Sequence, residues 1–287
     1  MLIVKKTIFV LLSVALPCGV SVLGNPASAQ ISGLPAMLVL ALSAFLIQWL
    51  AFIPARILET ERFYDVVGSS TYIVLTLAAL HINETLMWSQ ILIAIFVIIW
   101  ASRLGVFLFR RIHLAGGDQR FNQIKISSGR FFVAWTLQGA WIVMTICAAL
   151  AAILSEGAED LLAIYGMGVV LWLIGFATEV IADRQKSKFR KNPENAKKFI
   201  NTGLWARSRH PNYFGEILLW SGIAIMTIPV IAGMQWFVML SPVFVYALLT
   251  RGSGIPMLAR RGEQLWGDSP AYQIYLKQTP RLIPRLW

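Results

Sequence analysis

Long apolar stretches alternate with short polar ones along most of the chain. A helix that crosses a bilayer needs about 20 mostly apolar residues. Stretches of this kind fall at residues 7–24, 33–53, 66–82, 88–109, 131–154, 161–182, 213–231 and 234–250. Only a few residues separate the last two, so they predict a helical hairpin. The pattern therefore predicts an all-α, polytopic membrane bundle with seven or eight transmembrane helices.

The composition agrees with this pattern. Of the 287 residues, 57% are hydrophobic and 14% are charged, whereas a soluble domain carries about 25% charged residues. A chain with so little polar surface cannot have water as its only solvent. Membrane lipids are therefore expected partners, and an entirely soluble protein is excluded.

The N-terminal segment has two interpretations. Residues 7–24 are long enough to span a membrane, but Asn25 to Gln30 end in small residues, as a signal-peptidase site does. Residues 1–30 are thus either a first span or a signal peptide. The apolar run is longer than that of a usual signal peptide, which favours a span. In both cases residues 31–287 form the membrane-embedded domain.

Positive charges are concentrated in two loops, and such charges mark the cytoplasmic side of membrane helices. The loops contain Arg110, Arg111, Arg120, Lys125 and Arg130, and Arg184, Lys186, Lys188, Arg190, Lys191, Lys197, Lys198, Arg207 and Arg209. The intervening loops carry Glu84, Glu156, Glu159 and Asp160. We therefore expect a bacterial inner-membrane protein with residues 54–65, 110–130, 183–211 and the tail from Arg251 in the cytoplasm.

The formal net charge of +11 collects on that cytoplasmic face. Such a face attracts anionic lipid headgroups or a phosphorylated small molecule. Basic loops accompany most membrane helices of this kind, so topology and lipid contact already account for many of these side chains. Nucleic acid is not an expected partner.

Acidic and amide groups join the cations between residues 179 and 216. Glu179, Asp183 and Glu216 lie at or just inside the membrane boundary, where a charged group needs a partner. The nearby candidates are Arg184, Arg190, Arg207 and Arg209. These acids either neutralise the arginines structurally or contribute to a binding site.

Pro211 predicts the start of a helix, because proline favours a first helical position and disfavours helix in the residue before it. The free N–H groups of that first turn, with Arg207 and Arg209 upstream, suit a diphosphate. Asn212 and Glu216 are four residues apart and so share one helix face.

His210 is either catalytic or a brace for the loop. His81 and His113 form no metal-ligating set with it.

Three motifs in this region carry a resemblance to a known family. They are Gly203-Leu204-Trp205, Ser208-Arg209-His210-Pro211-Asn212-Tyr213-Phe214-Gly215-Glu216 and Trp220-Ser221-Gly222. Together they closely resemble the C-terminal signature of the steroid 5-alpha-reductase-like superfamily. Earlier segments, including residues 61–65 and 103–105, narrow the resemblance to its DUF1295 branch and extend it over most of the chain after residue 55.

The resemblance implies a seven-span bundle that binds NADPH from the cytoplasmic side. It further implies reduction of a carbon–carbon double bond conjugated to a carbonyl, in a hydrophobic small molecule such as a lipid, a steroid-like compound or an isoprenoid. Asp183, Arg190, Asn212 and Glu216 match cofactor-contacting positions, and Lys198 stands where relatives can be basic. The predicted cofactor site also includes Arg207, Arg209, His210, Tyr213 and Tyr275.

The same resemblance requires an acid that polarises the substrate carbonyl. Burial of a carboxyl or a phenol in a dry pocket favours this role. The candidate catalytic residues are Asp65, Glu61 and Tyr64, with Tyr72 as a second phenol. Trp100 falls near the position of the carbonyl-binding tyrosine of the reductases, which points to a substrate other than a 3-oxo steroid. Ala259 replaces a glutamate found in many relatives.

Two other functions compete with reduction. Isoprenylcysteine carboxyl methyltransferases carry a similar Arg-His-Pro-x-Tyr-x-Gly run and use S-adenosylmethionine. That cofactor has no phosphate, so the cluster of basic side chains favours NADPH. A lipid-binding protein without enzymatic activity would account for the basic loops, but not for an amide, a phenol and a carboxylate at the head of one membrane helix.

Overall fold

A computed structural model gives the fold and describes residues 2–115, 117–118, 121–156 and 162–285. Arg120, Glu159 and Asp160, which contribute to the charge pattern, lie outside the described residues. The helices and strands are α1 (Leu2–Gly24), β1 (Gln30–Ile31), β2 (Leu34–Pro35), α2 (Ala36–Ile57), α3 (Tyr64–Ile82), α4 (Trp88–Ala115), α5 (Ser128–Leu154), α6 (Leu162–Lys191), α7 (Leu204–Arg207), α8 (Pro211–Thr227), α9 (Leu240–Arg251), α10 (Ile255–Trp266) and α11 (Pro270–Gln278). Short 3₁₀ helices cover Pro193–Asn195, Ile228–Val230 and Gly233–Met239.

Within these described ranges, eight helical segments are long and apolar enough to cross a membrane. They are Thr7–Gly24, Ala36–Ile57, Tyr64–Ile82, Trp88–Leu114, Ser128–Leu154, Leu162–Lys191, Pro211–Val230 and Gly233–Trp266. This confirms the predicted all-α, polytopic fold and the higher of the two predicted helix counts. The protein is an integral membrane protein.

One helix end differs from the predicted boundary in a way that matters for the site. The apolar stretch ends near residue 182, but α6 continues to Lys191. Hydropathy marks where a helix leaves the hydrocarbon, whereas the backbone hydrogen bonds continue into water. Asp183 and Arg190 therefore lie on the last turns of α6 and not in a loop, which fixes their spacing.

The chain divides into two compact units. The first comprises Met1–Leu162 and Met226–Ser241, and the second comprises Ala163–Ile225 and Pro242–Trp287. In the first unit α5 is the central helix, since it packs against α1, α2, α3 and α4. Its apolar window is 78% buried, against 39% or less for the other four helices.

Helix α2 has one apolar stripe that packs in the core and a second apolar stripe that is exposed. Met37, Ala41, Ala44 and Phe45 are buried, while a second stripe on the same helix is exposed: Leu42, Leu46, Leu50 and Ile53. Leucine and isoleucine facing outward along a whole helix are expected where the solvent is hydrocarbon.

The chain after α1 is held by its own hydrogen bonds. The buried carbonyl of Ala29 accepts from the backbone N–H of Ala36 at 3.1 Å and from the Asn25 side chain at 2.8 Å. The Asn25 amide oxygen in turn accepts from the backbone N–H of Met37 at 2.9 Å. Helix α1 also packs against α2 and α5 and so belongs to the first unit.

In the second unit, α6 and α8 touch through glycines. A Cβ atom placed on Gly175 would lie 2.6 Å from the carbonyl oxygen of Gly215, and one on Gly222 would lie 2.6 Å from that of Gly168. The two contacts run in opposite chain directions, so the helices are antiparallel. Small residues of this kind let membrane helices approach closely and gain dispersion contacts.

We predict that Gly175→Ala destabilises the protein, although alanine is normally the better helix former. The added methyl group would meet the backbone of α8, and overpacking of this kind costs roughly 1–3 kcal/mol. Gly166→Ala is the matched control on the same helix, because a Cβ there meets no atom within 4 Å. Thermal unfolding in detergent measures both. An equal melting temperature for the two variants would contradict the close packing.

Candidate functional site

The glycine contact places the polar ends of α6 and α8 side by side. A Cβ atom on Gly215 would lie 2.7 Å from the backbone nitrogen of Glu179, so the first turns of α8 run beside the last buried turns of α6. Glu179 and Asp183 are 3% and 6% exposed, and they are one turn apart on α6. Asn212 and Glu216 occupy the corresponding turns of α8, as the predicted helix start at Pro211 requires.

The Gly203-Leu204-Trp205 motif fastens the following loop to α6. Gly203 has φ = 61°, a conformation that favours glycine. The Leu204 N–H donates to the Gln185 side chain at 2.9 Å, and the buried Trp205 indole N–H donates to the carbonyl of Ala182 at 3.0 Å. The Lys186 ammonium lies 4.5 Å from the centre of the Trp205 ring. The motif therefore fixes the position of a cation near the head of α8.

A C-terminal strap, residues 280–285, holds the residues just before α8. The Ser208 hydroxyl donates to the carbonyl of Leu282 at 2.6 Å. The Arg209 N–H donates to the carbonyl of Pro280 at 2.9 Å, and the Arg285 N–H donates to that of Arg207 at 3.0 Å. The backbone that carries Arg207 and Arg209 is therefore held in place by hydrogen bonds to the strap.

Tyr275, a predicted cofactor contact, braces the same region. Its hydroxyl donates to the carbonyl of Trp205 at 2.7 Å, and its ring belongs to an aromatic group with Phe199, Trp266 and Tyr272. Burial raises the pKa of Tyr275 above its ordinary value, so the phenol remains neutral. This geometry gives Tyr275 a clear structural role whether or not it also touches a ligand.

His210 lies at the centre of the basic residues. Its ring stacks on Tyr213 with centroids 5.6 Å apart and an interplanar angle of 11°. Burial, and then the positive charges of Lys186, Arg209 and Arg281, lower its pKa to about 3. The imidazole is therefore neutral at physiological pH, and it serves as a hydrogen-bonding group instead of a cationic acid.

Two buried nitrogen atoms in this cluster have no hydrogen-bond partner among the described residues. They are Nδ1 of His210 and Nε of Arg209. Buried polar atoms in native proteins are nearly always paired, so atoms of this kind are a reason to look for a bound group. Nε of Arg209 can only donate, so a group bound there would offer an acceptor oxygen.

The predicted cofactor residues differ in their exposure. Asp183 is buried, and Asn212, Tyr213 and Glu216 are half-buried at the head of α8 beside His210. Three predicted cations are exposed instead: Arg190, Lys198 and Arg207. Arg281 was not predicted, because it is about 70 residues away in sequence and only the fold of the strap places its charge near His210.

The predicted catalytic residues lie in the first unit, where each contacts a neighbour. Glu61 is 3% exposed, accepts from the Lys125 ammonium at 2.7 Å and accepts from the Asp118 N–H at 2.9 Å. Burial alone would raise the pKa of Glu61, but these hydrogen bonds outweigh it and lower the pKa. Glu61 is therefore an ionised brace for the loop that contains Asp118.

The other two predicted catalytic groups are less enclosed. The Tyr64 hydroxyl donates to the carbonyl of Ala134 at 2.9 Å. An oxygen of Asp65 lies 3.9 Å from the Arg111 guanidinium, and the Asp65 side chain is 13% exposed. Both residues begin α3, so one helix end presents a carboxylate and a phenol together.

We predict that acid destabilises the protein in part through His210. Its folded pKa of about 3 lies below the ordinary 6.5 of the unfolded chain, so the unfolded state gains the proton first and stability is lost as the pH falls below 6.5. At pH 5.5 the loss is about 1.4 kcal/mol. His210→Gln removes this contribution, while the control His113→Gln, at an exposed position, keeps it. Thermal unfolding at pH 7.5 and 5.5 measures how much stability each variant loses on acidification. An equal loss of stability in the two variants would contradict a buried, neutral imidazole.

Comparison with known proteins identifies the family. The family described as "Protein of unknown function (DUF1295)" matches residues 51–279. A protein of Ustilaginoidea virens named "Probable O-methyltransferase ustE" is 32% identical over 117 residues, which are 36% of this chain and 41% of that relative. The chain thus covers less than half of that relative's length, and no solved structure gives a significant match. Because the family match covers most of the chain, the protein belongs to the DUF1295 family, within the steroid 5-alpha-reductase-like group.

Proposed function

We propose that the protein is a membrane-embedded, NADPH-dependent reductase. It would reduce a carbon–carbon double bond conjugated to a carbonyl in a hydrophobic substrate. The observation that carries the proposal is a pair of buried nitrogen atoms at the head of α8, Nε of Arg209 and Nδ1 of His210, which have no hydrogen-bond partner among the described residues. In this proposal the site faces the cytoplasm, where NADPH is found.

The chemistry of this cluster suits a phosphorylated dinucleotide. The first turn of α8 carries N–H groups that have no partner within the helix, and its dipole is positive at that end. Arginine binds phosphate through a planar, two-pronged donor group. NADPH carries a diphosphate and a further ribose phosphate, so several cations are needed. Asn212, Glu216 and Asp183 would bind the hydroxyl and carboxamide groups of the cofactor.

Reduction would also need a group that polarises the substrate carbonyl. NADPH would supply the hydride for the carbon β to the carbonyl, negative charge would develop on the carbonyl oxygen, and a proton from water would complete the reduction at the α-carbon. A donor at that oxygen lowers the barrier, and we assign this role to Asp65, with Tyr64 beside it. Arg111 at 3.9 Å favours the ionised carboxylate of Asp65, so in this proposal the bound apolar substrate excludes water and favours the protonated form. Glu61 forms an ion pair with Lys125. In this proposal it therefore positions the loop that contains Asp118 and does not supply the proton.

Methyl transfer from S-adenosylmethionine is the second candidate. It is favoured by the name of the Ustilaginoidea virens relative and by the run from Arg209 to Gly215. S-adenosylmethionine carries one carboxylate and no phosphate, so it offers fewer acceptor oxygens to Arg209 and to the first turn of α8 than NADPH does. For this reason we rank it below NADPH.

We predict that NADPH raises the melting temperature of the detergent-solubilised protein, because a ligand that binds only the folded state stabilises it. At a ligand concentration 100 times the dissociation constant this amounts to about 2.7 kcal/mol. NADH, which lacks the ribose phosphate, should stabilise less, and S-adenosylmethionine should not stabilise. A thermal-shift titration with the three ligands measures this.

The matched variants for that titration are Arg209→Gln and Arg260→Gln. The first removes a cation beside His210 and should weaken NADPH binding at least tenfold. The second removes an exposed cation on α10 and should leave binding unchanged. Stabilisation by S-adenosylmethionine alone would establish the methyltransferase in place of the reductase. No shift with any of the ligands would refute both.

We predict that Asp65→Asn slows turnover and leaves the dissociation constant of NADPH unchanged. An amide cannot supply the proton-bearing carboxyl that polarises the carbonyl, so a loss of about 100-fold or more in kcat is expected. Glu59→Gln, at an exposed position, is the control. The assay follows the NADPH absorbance with conjugated enones of different size. Full activity of Asp65→Asn on an enone that the wild type reduces would remove Asp65 from the mechanism.

A further inference from the structure

A separate cleft lies at the junction of α10 and α11 in the second unit. It has a volume of about 370 Å³. Its lining includes two lysines, an aromatic floor and one acid: Lys197, Lys198, Phe199, Trp266 and Asp268. One of the lining residues, Lys198, is a predicted cofactor residue. The cluster at the head of α8 does not line the cleft, which is therefore separate from Lys186, Arg209, His210 and Arg281.

Hydrogen bonds fix the walls of this cleft. The Trp266 indole N–H donates to the carbonyl of Lys197 at 2.7 Å, and the Gln273 side chain donates to the carbonyl of Gly267 at 2.8 Å. The Phe199 ring packs edge-on against Trp266, with centroids 5.9 Å apart. The two lysines are therefore presented from a defined backbone and not from a free loop.

The helix that forms one wall is amphipathic. On α10, Ile255 and Gly262 are buried, while Arg260 and Arg261 are exposed. Leu265, which also lines the cleft, is 57% exposed. A short helix with exposed arginines, an exposed leucine and a terminal tryptophan is typical of the membrane–water interface. Trp266 ends both α10 and the candidate span Gly233–Trp266, and it also lines the cleft, so we place the cleft at the level of the lipid headgroups.

We propose that this cleft binds the headgroup of an anionic phospholipid with a hydroxylated headgroup. The phosphate would lie against the ammonium groups of Lys197 and Lys198. The headgroup hydroxyls would donate to the Asp268 carboxylate, and the acyl chains would lie along Leu265. The two lysines and one acid leave the cleft with a net positive charge, which selects an anionic over a zwitterionic lipid. This inference does not depend on the proposed reductase activity.

The test uses the full chain in detergent, with phosphatidylglycerol, phosphatidylcholine and inorganic phosphate as probes. Native mass spectrometry should show a one-to-one phosphatidylglycerol complex, and the lipid should raise the melting temperature. Phosphatidylcholine should bind at least fivefold more weakly. Lys197→Glu should abolish the preference, whereas Lys277→Glu, an exposed position on α11 outside the cleft, should keep it.

Three outcomes would overturn the proposal. The first is equal binding of phosphatidylglycerol and phosphatidylcholine. The second is an equal loss of the preference for phosphatidylglycerol in Lys197→Glu and Lys277→Glu. The third is full stabilisation by inorganic phosphate alone, which would make the occupant a free phosphate compound and not a lipid. NADPH added with the lipid distinguishes the two sites, because it should bind the wild type and Lys197→Glu alike.

Discussion

The backbone contact between α6 and α8 is the constraint on which the candidate cofactor site depends. Inside a bilayer, helices gain little from burying apolar surface, because lipid is as apolar as a side chain, so close packing must hold them together. Gly175 and Gly215 allow that approach. The same contact sets Glu179 and Asp183 beside the first turns of α8. A larger residue at either glycine would separate the polar groups that the proposed cofactor needs together.

The second feature of the site is a set of three cations near an uncharged imidazole, with the acids Glu179, Asp183 and Glu216 on the adjoining turns. Lys186 is held over Trp205, Arg209 is fixed by the strap, and Arg281 belongs to the strap itself. Nε of Arg209 and Nδ1 of His210 are buried without a hydrogen-bond partner among the described residues, a cost that a bound ligand would offset. Burial and these cations keep His210 neutral. In the proposed cofactor site a phosphate oxygen would accept from Arg209, and the cleft at α10 and α11 would hold a lipid headgroup.

The sequence predicted the parts of this structure that follow from local rules. Hydropathy located the spans, and Pro211 located the start of α8, because proline restricts the backbone on both sides. Hydropathy did not locate the end of α6, since a helix continues in water after its apolar stretch ends. The Ser208 bond to Leu282, the charge of Arg281 and the Glu61–Lys125 pair join residues far apart in sequence. Only the fold brings them together, and no pattern along the chain indicates such pairs.

The central claim is that the cations around His210 bind the phosphates of NADPH. An experimental structure of the detergent-solubilised protein with NADPH bound tests it most directly. We expect the diphosphate within hydrogen-bonding distance of Arg209 and the first turn of α8, with Asn212 and Glu216 on the same cofactor. Cofactor density elsewhere on the protein, with Arg209 contacting only protein and water, would contradict the claim.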